Sequence, residues 1–285
     1  YEADLKNFFG SLDHSWLLKF VQHRISDERI LTLIRRWLKA GVMESGQVSS
    51  SDRGTPQGGS ISVVLSNIFL HYVVDLWFDR VVRPRLRGEA YLVRYLDDFV
   101  VCFQYYEDAG KFQVALKGRL AKFSLELEPT KTRLIEFGRF EKRESTRKGI
   151  KSPTFCFLGF RFYGFRLKWD YYAVATVVDG KRRTRFINSL REAMRNMRHR
   201  PLKEQAARIN SMLRGFFNYF AVPYGLDRLK SLSEIAVSHW RKVLSTRSQS
   251  GNVNWKKFNI ILQHYPICRP RVRYSYVEFQ ELGNS

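Results

Sequence analysis

Tyr91-Leu92-Val93-Arg94-Tyr95-Leu96-Asp97-Asp98-Phe99-Val100-Val101-Cys102-Phe103 sets two adjacent carboxylates between apolar, β-branched and aromatic runs. Such flanks read as two strands, with the acidic pair at the tight turn between them. Two anionic side chains at one hairpin tip repel each other, and folding gains nothing obvious from that placement. A divalent cation with a taste for hard oxygen ligands, such as Mg²⁺, would relieve the repulsion. Taken alone, Tyr95-Leu96-Asp97-Asp98 fits either such a site or a solvated acidic turn.

Working outward, Tyr1-Glu2-Ala3-Asp4-Leu5-Lys6 alternates, with Tyr1, Ala3 and Leu5 on one face and Glu2, Asp4 and Lys6 on the other. Phe8-Phe9 follows. Between the acidic sites lies Gly54-Thr55-Pro56-Gln57-Gly58-Gly59-Ser60-Ile61-Ser62, a turn-rich segment that runs into a long apolar helix. Asp-x-x-x-x-Phe, Thr-Pro-Gln-Gly-Gly-Ser and Tyr-x-Asp-Asp, in this order, resemble the palm of a reverse transcriptase. Glu2 to Phe9, the run Ile61 to Ile68 and Leu213 to Phe220 are similar to the group II intron lineage of that family. The resemblance covers nearly the whole chain.

It implies an α+β fold: a polymerase palm of antiparallel sheet with helices, then an all-helical thumb bundle. The expected domains are a catalytic palm over 1–179, a thumb or maturase domain X over 180–250, and a basic RNA-binding tail over 251–285. The fingers of relatives would lie before Tyr1, which leaves open the activity of these 285 residues alone.

Joining a nucleotide to a primer needs an activated 3′-hydroxyl and a neutralised triphosphate, which two Mg²⁺ ions roughly 3.5–4 Å apart provide. The resemblance implies Asp4 and Asp97 as chief ligands, Asp98 in support and the Leu5 carbonyl as a further donor, with Mn²⁺ as a substitute metal. Phe9 falls at the steric gate against a 2′-hydroxyl, and Phe8 reads as core. Gln57 and Gly58 match the turn that contacts the incoming nucleotide. Lys131 matches the lysine proposed as general acid for pyrophosphate, a role that requires its charged form near the phosphates. Phe157, Leu158 and Gly159 resemble the primer grip. Asp13 precedes a predicted helix and reads as structural, with His14.

The 285 residues carry a net charge of +22 with a pI near 10.1, pointing to a polyanionic partner. The charge is unevenly spread. Residues 1–140 hold 20 Lys+Arg against 17 Asp+Glu, and residues 141–285 hold 29 against 10. Along the predicted helix 182–199, Arg183, Arg191, Arg195, Arg198 and Arg200 stand off the apolar stripe of Phe186, Ile187, Leu190, Met194 and Met197. With Arg214, and with Arg271 and Arg273 among the aromatics of the tail, they are candidate contacts for nucleic acid. The expected partners are an RNA template, a DNA primer, deoxynucleoside triphosphates and intron RNA.

Three scattered cysteines, Cys102, Cys156 and Cys268, form no Cys-x-x-Cys pair, so neither zinc nor a disulfide framework is expected. The apolar stretch Ile61 to Phe78 contains Asn67, His71 and Asp75 and does not read as a membrane span. The resemblance implies a cytoplasmic or nucleoid-associated protein of bacterial or organellar origin.

Further predicted elements are helices at 14–24, 27–40, 61–83 and 107–125, strands at 1–6, 91–104 and 132–137, and a basic loop over 142–151. Short hairpin strands at 155–162 and 165–169 precede helices at 182–199, 202–220 and 225–247. Leu96 stands where intron-encoded enzymes usually carry Ala, and Gly10 where many carry Asp. Rival readings are a maturase-like RNA-binding splicing cofactor and a host-adapted polymerase in DNA repair or phage defence. An RNA-dependent RNA polymerase is disfavoured by Phe9.

Overall fold

The computed structural model describes residues 1–39, 42–44, 47–49, 60–140, 147–149, 151–166, 172–247 and 252–272. The chain divides into two compact units, Tyr1–Glu136 and Phe137–Ser285. The division falls well ahead of the boundary read at Asp179-Gly180.

In the first unit, strand β1 (Glu2–Asp4) leads into a short helix α1 (Phe8–Ser11), then α2 (His14–Gln22) and α3 (Glu28–Lys39). Asp13 caps α2, its Oδ1 accepting from the backbone amides of Ser15 (2.9 Å) and Trp16 (3.1 Å). Its structural reading holds. Leu17, Phe20 and Val21 of α2, and Leu31, Ile34 and Leu38 of α3, are buried at helical spacing. Strands β2 (Val42–Glu44) and β3 (Gln47–Ser49) pair antiparallel.

Helix α4 (Ser60–Leu70) continues through two wide turns, His71–Asp75 and Phe78–Val82. There the amides of Leu76 and Arg83 reach back five residues, to the carbonyls of His71 and Phe78. Ile61–Arg85 is long and apolar enough to cross a membrane by length and composition. Its Leu65, Phe69, Leu70, Val73, Val74, Phe78 and Val82 nevertheless lie in the core of this unit.

Strands β4 (Ala90–Tyr95) and β5 (Asp98–Phe103) form the expected hairpin, and helix α5 (Tyr106–Ala121) follows. The sheet order is β1-β5-β4, antiparallel throughout. Its inward face supplies Ala3, Phe99 and Val101 to an aromatic core. There Phe112 meets Tyr1 edge-on at 5.6 Å, and Phe20 stacks on Tyr72 at 4.9 Å.

The strand predicted over 132–137 is not formed. Arg133 makes a single bridge to Glu2, and Leu5 a second to Leu127. Between them Pro129 has no amide to donate, and a turn in which Lys131 and Thr132 both donate to the Glu128 carbonyl bulges away from β1.

In the second unit, β6 (Thr154–Phe157), β7 (Phe160–Arg166) and β8 (Tyr172–Val178) form a three-stranded antiparallel sheet. The hairpin expected from strands at 155–162 and 165–169 is displaced: the chain turns at Leu158-Gly159, inside the first predicted strand, and β7 runs unbroken through 163–165, while β8 was not expected. Trp169 lies outside the described residues, as does most of the basic loop over 142–151. Leu158 and Gly159 make the β6–β7 turn with φ of 52° and 80°, the sign pattern of a type I′ hairpin.

Helices α6 (Gly180–Asn196), α7 (Leu202–Phe220) and α8 (Leu226–Ser245) follow as read. Trp240 is fully buried among them, its indole donating to Gln205 Oε1 at 2.8 Å. Gln205 Nε2 in turn donates to the carbonyls of Arg198 and Arg200, fixing the α6–α7 turn. The segment expected as a tail contains a fourth helix, α9 (Trp255–His264), whose Phe258 is buried edge-on against Trp240 at 5.5 Å. Asn210 clasps the segment beyond it, donating to the Pro266 carbonyl and accepting from the Cys268 amide, both at 2.8 Å.

Candidate active site

Pairing of β1 with β5 sets Glu2 opposite Val100, Ala3 opposite Phe99 and Asp4 opposite Asp98. Tyr1 and Val101 exchange both backbone bonds at 2.8 Å, so the strict alternation of an antiparallel ladder makes Asp4–Asp98 a pair without mutual backbone bonds. In such pairs the side chains stand closest. Both carboxylates lie on the sheet face away from the core, as do Glu2 and the exposed Tyr91, Val93 and Tyr95. Asp97 occupies the two-residue turn between Tyr95 and Asp98. The same alternation points the Leu5 carbonyl toward the β5 side just past the end of the pairing, while the Asp4 carbonyl accepts from Glu128 on the opposite edge.

Crowding of like charge shows in the proton affinities. Burial, then Asp4, Glu2 and Asp97, push the Asp98 carboxyl up to about 6. Burial first, with Asp4 adding to it, also raises Asp97. Lys131 opposes both shifts. Its ammonium pairs with Asp4 Oδ2, and that bond raises the lysine's own pKa, so the charged form is secured. Glu2, which the sequence reading did not single out, is held by Arg133 at 2.6 Å. Its alternation with Asp4 was the available signal.

Among the described residues no three His, Cys, Asp or Glu side chains stand ready as a metal chelate. Mg²⁺ asks for less, since it binds through one or two carboxylates plus substrate phosphates and water. An all-oxygen set of Asp4, Asp97, Asp98 and the Leu5 carbonyl, with negative charge in excess, suits such a cation. The Lys131 ammonium already supplies one positive charge there.

Phe8 is buried, as read, and Phe9 is half-buried with its ring 5.5 Å from that of Phe8. Gln57 and Gly58, with Pro56 and Gly59, lie outside the described residues, and so does Arg273.

In the second unit Phe157 is buried, and the Leu158 carbonyl accepts from the Tyr219 hydroxyl at 3.1 Å. The arginines separate by role. Arg183 is half-buried and donates to Ser231 Oγ at 2.9 Å, tying α6 to α8. Arg191 and Arg195 are exposed beside His239, whose proton affinity is lowered by burial and then by those two arginines and Lys242. Arg198 is half-buried, while Arg200, Arg214 and Arg271 are exposed. Arg182 and Arg185, which the reading passed over, line a groove of about 510 Å³ between α6 and α7. Phe186 and Phe216 stack on its wall at 4.0 Å. Their spacing of three on one helix face, next to Phe186, was the overlooked signal.

Residues 1–162, which contain the acidic sheet, match the family described as reverse transcriptase (RNA-dependent DNA polymerase). The chain belongs to the reverse transcriptase family. Within it the kinship is with group II intron-encoded proteins. The chain is 41% identical over 94 residues to the group II intron-encoded protein LtrA of Lactococcus lactis subsp. cremoris, covering 31% of the chain and 16% of LtrA. A longer match, 28% identical over 204 residues, is to Protein YkfC of Escherichia coli (strain K12), covering 66% of the chain and 53% of YkfC. A third, 39% identical over 70 residues, is to a 91 kDa protein in the cob intron of Schizosaccharomyces pombe, covering 25% of the chain and 9% of that protein. The chain thus spans about half the length of YkfC and a smaller part of the other two.

Proposed function

We propose that this chain carries the palm and thumb of an RNA-directed DNA polymerase of group II intron type, which extends a DNA primer with deoxynucleotides on an RNA template. The observation that carries the reading is the facing of Asp4 and Asp98 across β1 and β5, with Asp97 at the adjoining turn and all three electrostatically coupled.

Mg²⁺, when bound, would neutralise the triphosphate and lower the barrier to attack by the primer 3′-hydroxyl. Asp4, Asp97 and the Leu5 carbonyl would hold it, with Asp98 keeping the local field negative. Lys131, charged and beside Asp4, would hand a proton to the departing pyrophosphate. Phe9 would exclude a 2′-hydroxyl by bulk, and Gln57 and Gly58 would contact the incoming nucleotide. Phe157, Leu158 and Gly159 would steady the primer end. Exposed Arg191, Arg195, Arg200, Arg214 and Arg271 would neutralise backbone phosphates.

Asp97→Asn in the full protein should abolish DNA synthesis on an RNA template, by about 10³-fold or more, while template–primer binding stays within about 3-fold. Synthesis near the parent level would reject the metal assignment.

A second reading, a maturase-like RNA-binding role, is favoured by the excess of 29 basic over 10 acidic residues across 141–285 and by the likeness to LtrA. In the Asp97→Asn protein, retained support of intron splicing would establish it alongside synthesis, and loss of splicing with loss of synthesis would count against it.

A further inference from the structure

The turn that bears Asp97 is held from outside. Leu96 has a φ of 57° at the first position of a two-residue hairpin loop, where glycine or asparagine is the usual occupant. A leucine stays there only when its surroundings over-determine the conformation. Arg94, whose side chain is 10% exposed, does so. Its Nη1 donates to the Leu96 carbonyl at 3.0 Å and to Asn67 Oδ1 at 3.0 Å. Its Nε and Nη2 fork both oxygens of Asp75 at 2.7 and 2.6 Å.

Asp75 is fixed in turn. It closes the first wide turn after α4, whose loosened carbonyls at Tyr72 and Val73 accept from Arg119 Nη2 (3.1 Å) and Nε (3.0 Å). The Arg119 guanidinium itself lies over the Phe123 ring at 4.7 Å. A contiguous line of bonds therefore runs from α5 through the wide turn and Asp75 to the peptide joining Leu96 to Asp97. Wide helical turns of this kind are rare and gather at functional sites.

We propose that Arg94 is a positioning residue, with Asp75 as its anchor: together they aim the Asp97 carboxylate by fixing the Leu96–Asp97 peptide plane. For its chemical meaning the inference rests on the polymerase reading, and its structural arm does not. A planar fork is required, because a lysine keeps the charge but cannot bond Asp75 twice while also reaching Leu96.

Three measurements on Arg94→Lys and on Asp75→Asn test it. Hydrogen exchange of the segment 92–99 should quicken by about tenfold, with α2 and α5 unchanged. Mn²⁺, used as the probe and followed by loss of its free signal in electron paramagnetic resonance, should bind about 5- to 10-fold more weakly. In RNA-templated extension kcat should fall by about 10²-fold with KM for the nucleotide within about 3-fold, the mark of misaimed chemistry rather than weakened binding. The double variant should be no worse than either single one.

Unchanged exchange at 92–99 in the folded variants would overturn the proposal. So would a general loosening or loss of fold in both, which would make the pair merely structural. If the parent protein makes no DNA, the polymerase reading falls, while exchange at the turn still decides the positioning of Asp97.

Discussion

Asp98 sits in a folded structure that favours its protonated form. Its carboxyl is lifted to about 6 by burial and by three neighbouring acids, against about 3.9 in an unfolded chain. The stability it contributes is therefore complete below about pH 4 and is lost as pH rises through about 6. Asp98→Asn removes the ionisation altogether. At pH 8 in EDTA the variant should melt about 2–4 °C above the parent, a modest gain because the carboxyl is only partly buried. The gap should vanish near pH 4 and narrow when Mg²⁺ is added. A calorimetric series showing no gap at pH 8 would mean that the acids do not crowd one another as described. Reading the sequence made these acids suspects, but the register that faces Asp4 with Asp98 is a property of strand pairing, which composition does not reveal. Arg94 was invisible for a related reason. Its partner Asp75 lies 19 residues earlier, inside a helical apolar pattern that advertises only a core.

At the level of elements, legibility followed periodicity. Helices α6, α7 and α8 announced themselves through stripes that they do bury, and the β4–β5 hairpin through β-branched runs around its turn. Strand β8 escaped because its inward positions include Ala173 and Ala175, too small to mark an apolar alternation. The opposite error arose at 132–137, where Leu134, Ile135 and Phe137 look like a strand, while beyond the turn after Pro129 only Arg133 regains backbone bonds to β1, at Glu2. The β6–β7 hairpin is the element most open to test. Gly159 stands at φ 80°, and a Cβ there would lie 3.3 Å from Arg182 Nε and 3.4 Å from the Phe220 ring. Gly159→Ala should cost about 1–2 kcal/mol. Urea titration would register this as a lower midpoint at unchanged slope, and an unaltered midpoint would show that the turn relaxes freely.

For the whole molecule, the division of charge is the feature that sequence alone stated most clearly: nearly balanced over 1–140, strongly basic beyond. What it could not say is which cations are free to meet a polyanion. Arg183 is engaged with Ser231, whereas Arg191 and Arg195 are exposed. Arg191→Glu with Arg195→Glu should weaken template–primer binding and lower the log–log salt slope by about 0.9 for each phosphate no longer neutralised. Arg183→Gln should leave the slope alone and lower thermal stability instead. Fluorescence anisotropy across a salt series separates the two, and an identical slope in the Arg191/Arg195 variant would exclude that face from the interface.

The two places where the helix after Ser60 reaches back five residues instead of four act as a vernier. Each lodges one residue more than an ordinary turn holds, so the stretch beyond it is rotated by about 100° against the stretch before. A one-codon deletion between His71 and Asp75 would restore a tidy helix while swinging the acidic end of that turn away from the hairpin. Such a change would be close to silent to circular dichroism and damaging to the acidic site, so the length of this helix is under tighter constraint than its composition.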